Sequence, residues 1–157
     1  MTKLSVIERS VVLGMAAGMR SVAAPAALSR HLATDPTVPH GIVDDLLSRP
    51  LAPRLLTIAS VAEHVGDKLP ITPPRIEPAP LAGRIASGAL CGFVLARRAG
   101  ESTVTGALVG GLAAAAATFA AYHLRRALTV KAGLPDLPVA LAEDVAAVLF
   151  AETGARG

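Results

Sequence analysis

Several ionisable side chains lie inside or beside apolar segments of this sequence, where charge is unexpected. They are Arg20, Glu63, Asp67, Lys68, Arg84, Glu143 and Asp144. A charge near the centre of a bilayer costs about 2.5–3.5 kcal/mol on insertion scales, so such groups are expected to face a protein interior or a wet cavity and to pair. Arginines held in this way can bind a small anion, and buried carboxylates can carry a proton.

The first carboxylate pair suggests which groups meet. Glu63 and Asp67 are four residues apart, so on a helix they share one face. Two like charges on one face repel unless cations lie opposite or one carboxyl is protonated. We expect Arg20 and Arg84 to be those cations.

Two serines and the second carboxylate pair complete the candidate binding or transport residues. Ser21 and Ser87 lie close in sequence to the two arginines, and Glu143 and Asp144 interrupt a later apolar segment. The alternative is structural. Glu63, Asp67 and Lys68 then mark a helix end at the water interface, where Lys68 can extend its amine to water. Glu143 and Asp144 then lie near the start of a helix, where the dipole favours anions.

Enzyme signatures are missing from the sequence. It contains no H-E-x-x-H, G-x-S-x-G, G-x-x-x-x-G-K-[ST] or C-x-x-C pattern. His64 and His123 lack a second ligand at metal spacing. We therefore expect no catalytic residue, no metal and no cofactor.

The elements that must position the charged residues are apolar helices. The chain is 52% hydrophobic and 17% charged, with a mean hydropathy of +0.54. The segment 102–124 contains no Asp, Glu, Lys or Arg, and as a helix it would be about 34 Å long, enough to cross a hydrocarbon core. A buried Ala-rich helix of a soluble bundle is the alternative.

We predict an all-α membrane bundle of about five short, Gly/Ala-rich spans. The spans are expected at about 10–30, 51–69, 83–98, 102–125 and 138–152, within one domain of residues 1–157. The apolar content excludes disorder, and the single Cys91 excludes a disulfide scaffold. Scattered arginines and 3% aromatic residues disfavour nucleic-acid binding.

Three G-x-x-x-G pairs predict close helix packing. They are Gly14 with Gly18, Gly88 with Gly92, and Gly106 with Gly110. Residues four apart lie on one helix face, and small residues there let backbones approach in a membrane. The same faces could serve as the interface of a homo-oligomer.

The motif series resembles a known family. Its pieces are Gly14-x-x-x-Gly18-Met19-Arg20-Ser21 followed by Pro25, Glu63-x-x-x-Asp67-Lys68-Leu69-Pro70, Arg84-x-x-Ser87-Gly88-Ala89, and Glu143-Asp144. Together they are similar to the bacterial membrane family catalogued as domain of unknown function 4126, over residues 11–150. The resemblance implies a small multi-span bacterial membrane protein and implies no activity.

These features favour a transporter or channel in the bacterial inner membrane, carrying a small ion or anion past intramembrane Arg–carboxylate pairs. The alternative is a structural or accessory subunit whose buried ion pairs fix helix packing.

Charges recur as Arg20 then Glu63/Asp67, and as Arg125/Arg126 then Glu143/Asp144. This order is also compatible with an inverted repeat, as found in many transporters.

Overall fold

The computed structural model describes residues 4–35, 41–66 and 76–156, without the side chains of residues 64–66. Within these ranges the chain is helical and contains no strand. The helices are α1 Val6–Met19, α2 Ala23–Thr34, α3 Ile42–Ser48, α4 Ala52–Gly66, α5 Pro78–Arg98, α6 Thr103–Arg126, a π-helical turn Ala127–Lys131, and α7 Asp136–Arg156.

Local sequence sets several of these helix ends. Ser5 and Glu8 form a capping box at the start of α1, and the Ser102 side chain caps α6. Gly100 and Gly133 adopt φ values of 70° and 69°, which side chains other than glycine rarely allow. These glycines follow α5 and the π-helical turn, so the chain can reverse direction after each.

The expected first span over 10–30 is instead two helices. Arg20 has φ −141° and ψ 112°, which is extended backbone, and α1 ends there. Arg9, early in α1, donates to the carbonyls of Gly154 and Ala155 in the last turn of α7. Arg30, late in α2, pairs with Glu152 in the same region of α7. The two helices therefore run antiparallel and form a hairpin.

This hairpin changes the layout of the bundle. The start of α1 and the ends of α2, α5 and α7 lie together at what we call the proximal end, where Arg98 pairs with Asp35. The starts of α5 and α7 and the end of α6 lie at the opposite, distal end. Ser5 and Arg156 consequently lie at the same end of the bundle.

The other expected helices are present, with shifted ends. The segment expected at 51–69 corresponds to α4, whose described part ends at Gly66. The segment expected at 102–125 corresponds to α6. The segment expected at 83–98 starts earlier, at Pro78, since proline suits the first turn of a helix. The segment expected at 138–152 extends over Asp136–Arg156.

All six glycines of the G-x-x-x-G pairs lie where helices touch. A Cβ on Gly14 or Gly18 would overlap the α6 backbone, at the carbonyls of Gly110 and Ala114 respectively. A Cβ on Gly92 would overlap the carbonyl of Gly106. Helix α6 thus packs closely against both α1 and α5. These glycine faces are used within one chain and are not left open for a partner copy.

Large apolar side chains cover much of the outer surface. On α4, Leu55 and Ile58 are 64% and 66% exposed, and on α6, Leu108 and Leu112 are 60% and 70% exposed. Among the described residues, two helices are long and apolar enough to cross a membrane: Pro78–Arg98, with mean hydropathy 1.5, and Thr103–Lys131, with mean hydropathy 1.7.

The glycine contacts generate a testable prediction. Gly92→Leu should lower the free energy of unfolding by about 1–3 kcal/mol or more, because the side chain must force α5 away from α6. Thermal unfolding of the purified chain in detergent measures this. Gly83→Leu is the matched control, because Gly83 lies on the same helix with nothing within 4 Å of its added Cβ. Equal loss from both variants would contradict the packing role.

Candidate functional site

The candidate site is built around the turn that joins α1 to α2. We call Arg20, Ser21 and Val22 the hairpin tip. Asp144, which contacts the tip, lies about 12 Å along α7 from its start at the distal end, and the 14 residues of α1 place the tip about 21 Å from the proximal end. The tip is therefore inside the bundle, away from both ends.

Arg20 forms an ion pair with Asp144 of α7. Its Nε donates to Asp144 Oδ1 over 2.7 Å, and its side chain is 1% exposed against 13% for Asp144. Removing two charges from water is costly, and only mutual attraction with good hydrogen-bond geometry offsets that cost. The pair ties the tip to the middle of α7.

Glu63 of α4 binds the start of α2. Its Oε1 accepts from the Ser21 amide over 2.8 Å and from the Ser21 hydroxyl over 2.6 Å, and its Oε2 accepts from the Val22 amide over 3.0 Å. The first amides of a helix lack partners within the helix and carry partial positive charge. Val22 offers no side-chain cap for α2, and Glu63 instead binds the two amides that immediately precede the first helical residue, Ala23.

Arg84 of α5 binds the end of α1. It donates to the carbonyls of Gly18 and Met19 over 3.0 and 2.7 Å, and it lies 3.7 Å from Glu63 Oε1. Ser87, one turn later on α5, donates to the carbonyl of Ser21 over 2.5 Å. Cations favour the C-terminal end of a helix, where carbonyls are left over. Arg84 and Ser87 therefore satisfy the carbonyl side of the break.

Thr118 was missed by the sequence analysis. Its hydroxyl donates to the carbonyls of Gly18 and of Ala114 over 3.1 and 2.8 Å, and its side chain is fully buried. One signal could have identified it, because Thr118 is the polar interruption of a run of alanines in α6.

The second carboxylate pair of the sequence divides between two arginines. Asp144 contacts Arg20, while Glu143 Oε2 lies 3.8 Å from the Arg125 guanidinium. Arg125 also donates to both carboxylate oxygens of Asp136, over 2.9 and 2.7 Å.

The expected grouping of charges is thus met in part. Arg84 lies beside Glu63 as expected, whereas Arg20 pairs with Asp144 from the far end of the sequence. Asp67 and Lys68, the other members of the predicted cluster, lie outside the described residues.

A second buried ion pair lies at the proximal end. Arg98 binds Asp44 over 2.8 Å and Asp35 over 3.1 Å, and the Asp44 side chain has no exposed surface. The sequence analysis predicted no span between residues 30 and 51 and overlooked this pair. Two adjacent aspartates, Asp44 and Asp45, gave no sign of which would be buried.

Two cavities flank the hairpin. The Glu143 cavity, about 430 Å³ at the distal end, lies against the hairpin at Met19 and is otherwise lined by α6, α7 and their connection. The Arg98 cavity, about 390 Å³ at the proximal end, is lined by Arg9, His31 and Arg98 among others. Buried Leu13 and Leu28 belong to the core of the hairpin between the two ends. In the described ranges, no group of three or more His, Cys, Asp or Glu side chains could hold a metal ion.

The Arg20–Asp144 contact predicts strong energetic coupling. Arg20→Ala should destabilise the fold by about 3–5 kcal/mol, because it strands a carboxylate in the interior. The double variant Arg20→Met/Asp144→Leu should recover most of this loss, since it leaves no unpaired charge. Unfolding in detergent, analysed as a double-mutant cycle, measures the coupling. Arg49→Ala breaks an exposed pair with Asp45 and should cost under about 1 kcal/mol. A coupling near zero for Arg20 and Asp144 would contradict the contact.

Comparison with known proteins gives one result. No curated protein and no solved structure matches the chain. The sequence profile described as Domain of unknown function (DUF4126) matches residues 9–153, in agreement with the resemblance carried by the Arg20, Glu63, Arg84 and Glu143 motifs. The match covers most of the chain, which therefore belongs to the DUF4126 family.

Proposed function

We propose that this protein is a multi-pass membrane protein that transports or conducts a small ion or anion past the hairpin tip. In this proposal α4, α5, α6 and α7 cross the bilayer, and the α1–α2 hairpin enters and leaves from the proximal side. The location is the inner membrane of a bacterium, as the family resemblance implies.

Outer-surface composition supports the membrane setting. Only 39% of the apolar window in Pro78–Arg98 and 33% of that in Thr103–Lys131 is buried within the chain. The core helix of a soluble protein would be mostly buried. Exposed leucines and valines on α4, α6 and α7 would instead be covered by lipid.

The observation that carries the transport proposal is the placement of a charged hairpin tip inside the bundle, with a cavity toward each end. Half-helices that meet within a membrane commonly form ion and substrate sites, because their ends present partial charges and unpaired backbone groups. Arg20 and Arg84 would attract an anion. Their carboxylate partners, Asp144 and Glu63, would neutralise the arginines when no anion is bound and separate from them when one binds. Ser21 and Ser87 lie at the same turn, Glu143 lies in the neighbouring Glu143 cavity, and Asp67 and Lys68 remain candidates from the sequence.

Core side chains of the hairpin separate the two cavities. Leu13 and Leu28 are 0% and 1% exposed, and the two cavities share no lining residue among those described. Transport would therefore need the hairpin to shift relative to α5 and α6, exposing the tip to each side in turn.

A flux assay tests the proposal. The full chain in liposomes should carry chloride, phosphate or protons, and Asp144→Asn or Glu63→Gln should lower the rate by about tenfold or more, since each removes a charge that pairs at the tip. Arg49→Ala is the control and should not change the rate. Failure of the incorporated wild-type chain to carry any of these ions would overturn the proposal.

A structural role is the second candidate, favoured by the binding of Glu63 and Arg84 to the helix ends at the turn and of Arg20 to Asp144. In that case the buried pairs fix helix packing and serve no substrate. The double variant Arg20→Met/Asp144→Leu separates the two roles. Transport predicts a folded protein that has lost flux, whereas a structural role predicts a folded protein whose flux equals that of the wild type.

Several expectations stay predictions. A homo-oligomer would have to use faces other than the glycine faces, such as the exposed apolar sides of α6 and α7. An inverted repeat stays open, although the Arg20–Asp144 pair joins the two proposed halves rather than lying within one. We also expect no enzymatic activity.

A further inference from the structure

Three basic side chains lie together at the distal end of α6 and the π-helical turn that follows it. We call His123, Arg126 and Lys131 the distal basic cluster. All three are exposed, and with Ala127 and Val130 they line a cavity of about 510 Å³. Within the ranges that the structure describes, Arg126 and Lys131 make no hydrogen bond and no ion pair. Their charges are therefore available to a ligand.

The π-helical turn brings Lys131 to the other two side chains. Residues three or four apart lie on one face of an α-helix, so His123 and Arg126 share a face. Lys131 follows Arg126 by five residues, and the hydrogen bonds of a π-helix join residues five apart. The Ala132 amide accordingly donates to the carbonyl of Ala127 over 3.1 Å. The turn therefore gathers into one cluster residues that a continuous α-helix would separate.

Capping of the helix end does not account for the distal basic cluster. Basic side chains near a helix C-terminus can donate to the last carbonyls. Here other groups do so: the Thr129 hydroxyl donates to the carbonyl of Arg125 over 2.9 Å, and the Leu134 amide donates to that of Leu128 over 3.0 Å. The guanidinium and the ammonium group of the cluster donate to no carbonyl of the described chain.

An exposed apolar stripe on α6 leads from the cluster toward the proximal end. Counted back from His123, it contains Phe119, Ala116 and Leu112, at steps of four, three and four residues that keep them on one helix face. Leu112 is 70% and Phe119 43% exposed. The uncharged segment 102–124 is about as long as a hydrocarbon core is thick, so in a membrane the stripe meets acyl chains and the cluster lies at the level of the headgroups.

We propose that the distal basic cluster binds the headgroup of an anionic phospholipid, with an acyl chain against the stripe of Leu112, Ala116 and Phe119. Guanidinium and ammonium groups both pair with phosphate, and a guanidinium can do so through two parallel N–H groups. The stripe favours a lipid over inorganic phosphate, because inorganic phosphate has no apolar part. The inference rests on the membrane setting of the proposed function and does not depend on transport.

The only tyrosine of the chain reports on this site. Tyr122 precedes His123, their ring centroids lie 5.3 Å apart, and the chain has no tryptophan. The full chain is incorporated into phosphatidylcholine vesicles that contain a small fraction of nitroxide-labelled phosphatidylglycerol or nitroxide-labelled phosphatidylcholine, with the label near the head of one acyl chain. Quenching of tyrosine fluorescence then measures how tightly each lipid binds. Phosphatidylglycerol should bind about fivefold more tightly or better, which is the factor for one Lys or Arg near an anionic surface.

Two double variants locate the site. Arg126→Gln/Lys131→Gln should abolish the preference for phosphatidylglycerol, and it should fold because both side chains are exposed. Arg49→Gln/Arg54→Gln is the matched control, because it removes the same charge from exposed positions elsewhere, and it should keep the preference. Equal quenching of the wild-type chain by the two lipids, or equal loss of preference in both double variants, would overturn the proposal.

Two further outcomes separate this inference from its alternatives. Inorganic phosphate, added at constant ionic strength, should leave the preference unchanged. Loss of the preference would instead assign the cluster to free phosphate and contradict the proposal. A wild-type chain that does not float with the vesicles would overturn the membrane setting of the proposed function together with this inference, whereas an incorporated chain without lipid preference overturns this inference alone.

Discussion

The rest of the structure depends on satisfying the backbone groups at the buried turn between α1 and α2. A helix that stops inside a bundle leaves amides and carbonyls without partners, and each costs free energy if it stays unpaired away from water. Here Glu63 accepts from the amides, and Arg84, Ser87 and Thr118 donate to the carbonyls. Four side chains from three other helices thus allow the break to lie within the protein.

This constraint explains why charge and glycine occur together in the sequence. Arg84 can reach the last carbonyls of α1 only if α5 and α1 approach closely, and Gly88 and Gly18 remove the side chains that would separate each of these helices from α6. The same closeness requires the charges to be paired, because little room remains for water. Both functional interpretations follow from this arrangement. They differ in whether the Arg20–Asp144 pair ever opens.

Sequence patterns predicted the apolar helices α5 and α6, the glycine contacts and the burial of Arg20, because each has a local signal. They did not predict the hairpin. A proline often marks the point where a helix breaks. Here Pro25 lies within α2, past the turn at Arg20–Val22, and so did not indicate where the break occurs. The sequence also did not predict the partner of Arg20, because Asp144 comes close to Arg20 only through the packing of α7. Burial of Asp44 depended in the same way on Arg98, which a short-range pattern cannot connect to it.

Helix α4 is attached to the bundle mainly through polar contacts. None of its described side chains from Ala52 to Glu63 is buried, and Thr57 meets Arg30 while Glu63 meets the hairpin. Few buried side chains mean that little packing holds α4 to the bundle, so α4 should move away from the hairpin more readily than the other helices. Each such opening would withdraw the carboxylate from Ser21 and Val22 and leave the start of α2 electropositive. The stability of α4 therefore sets how often the buried turn is uncovered.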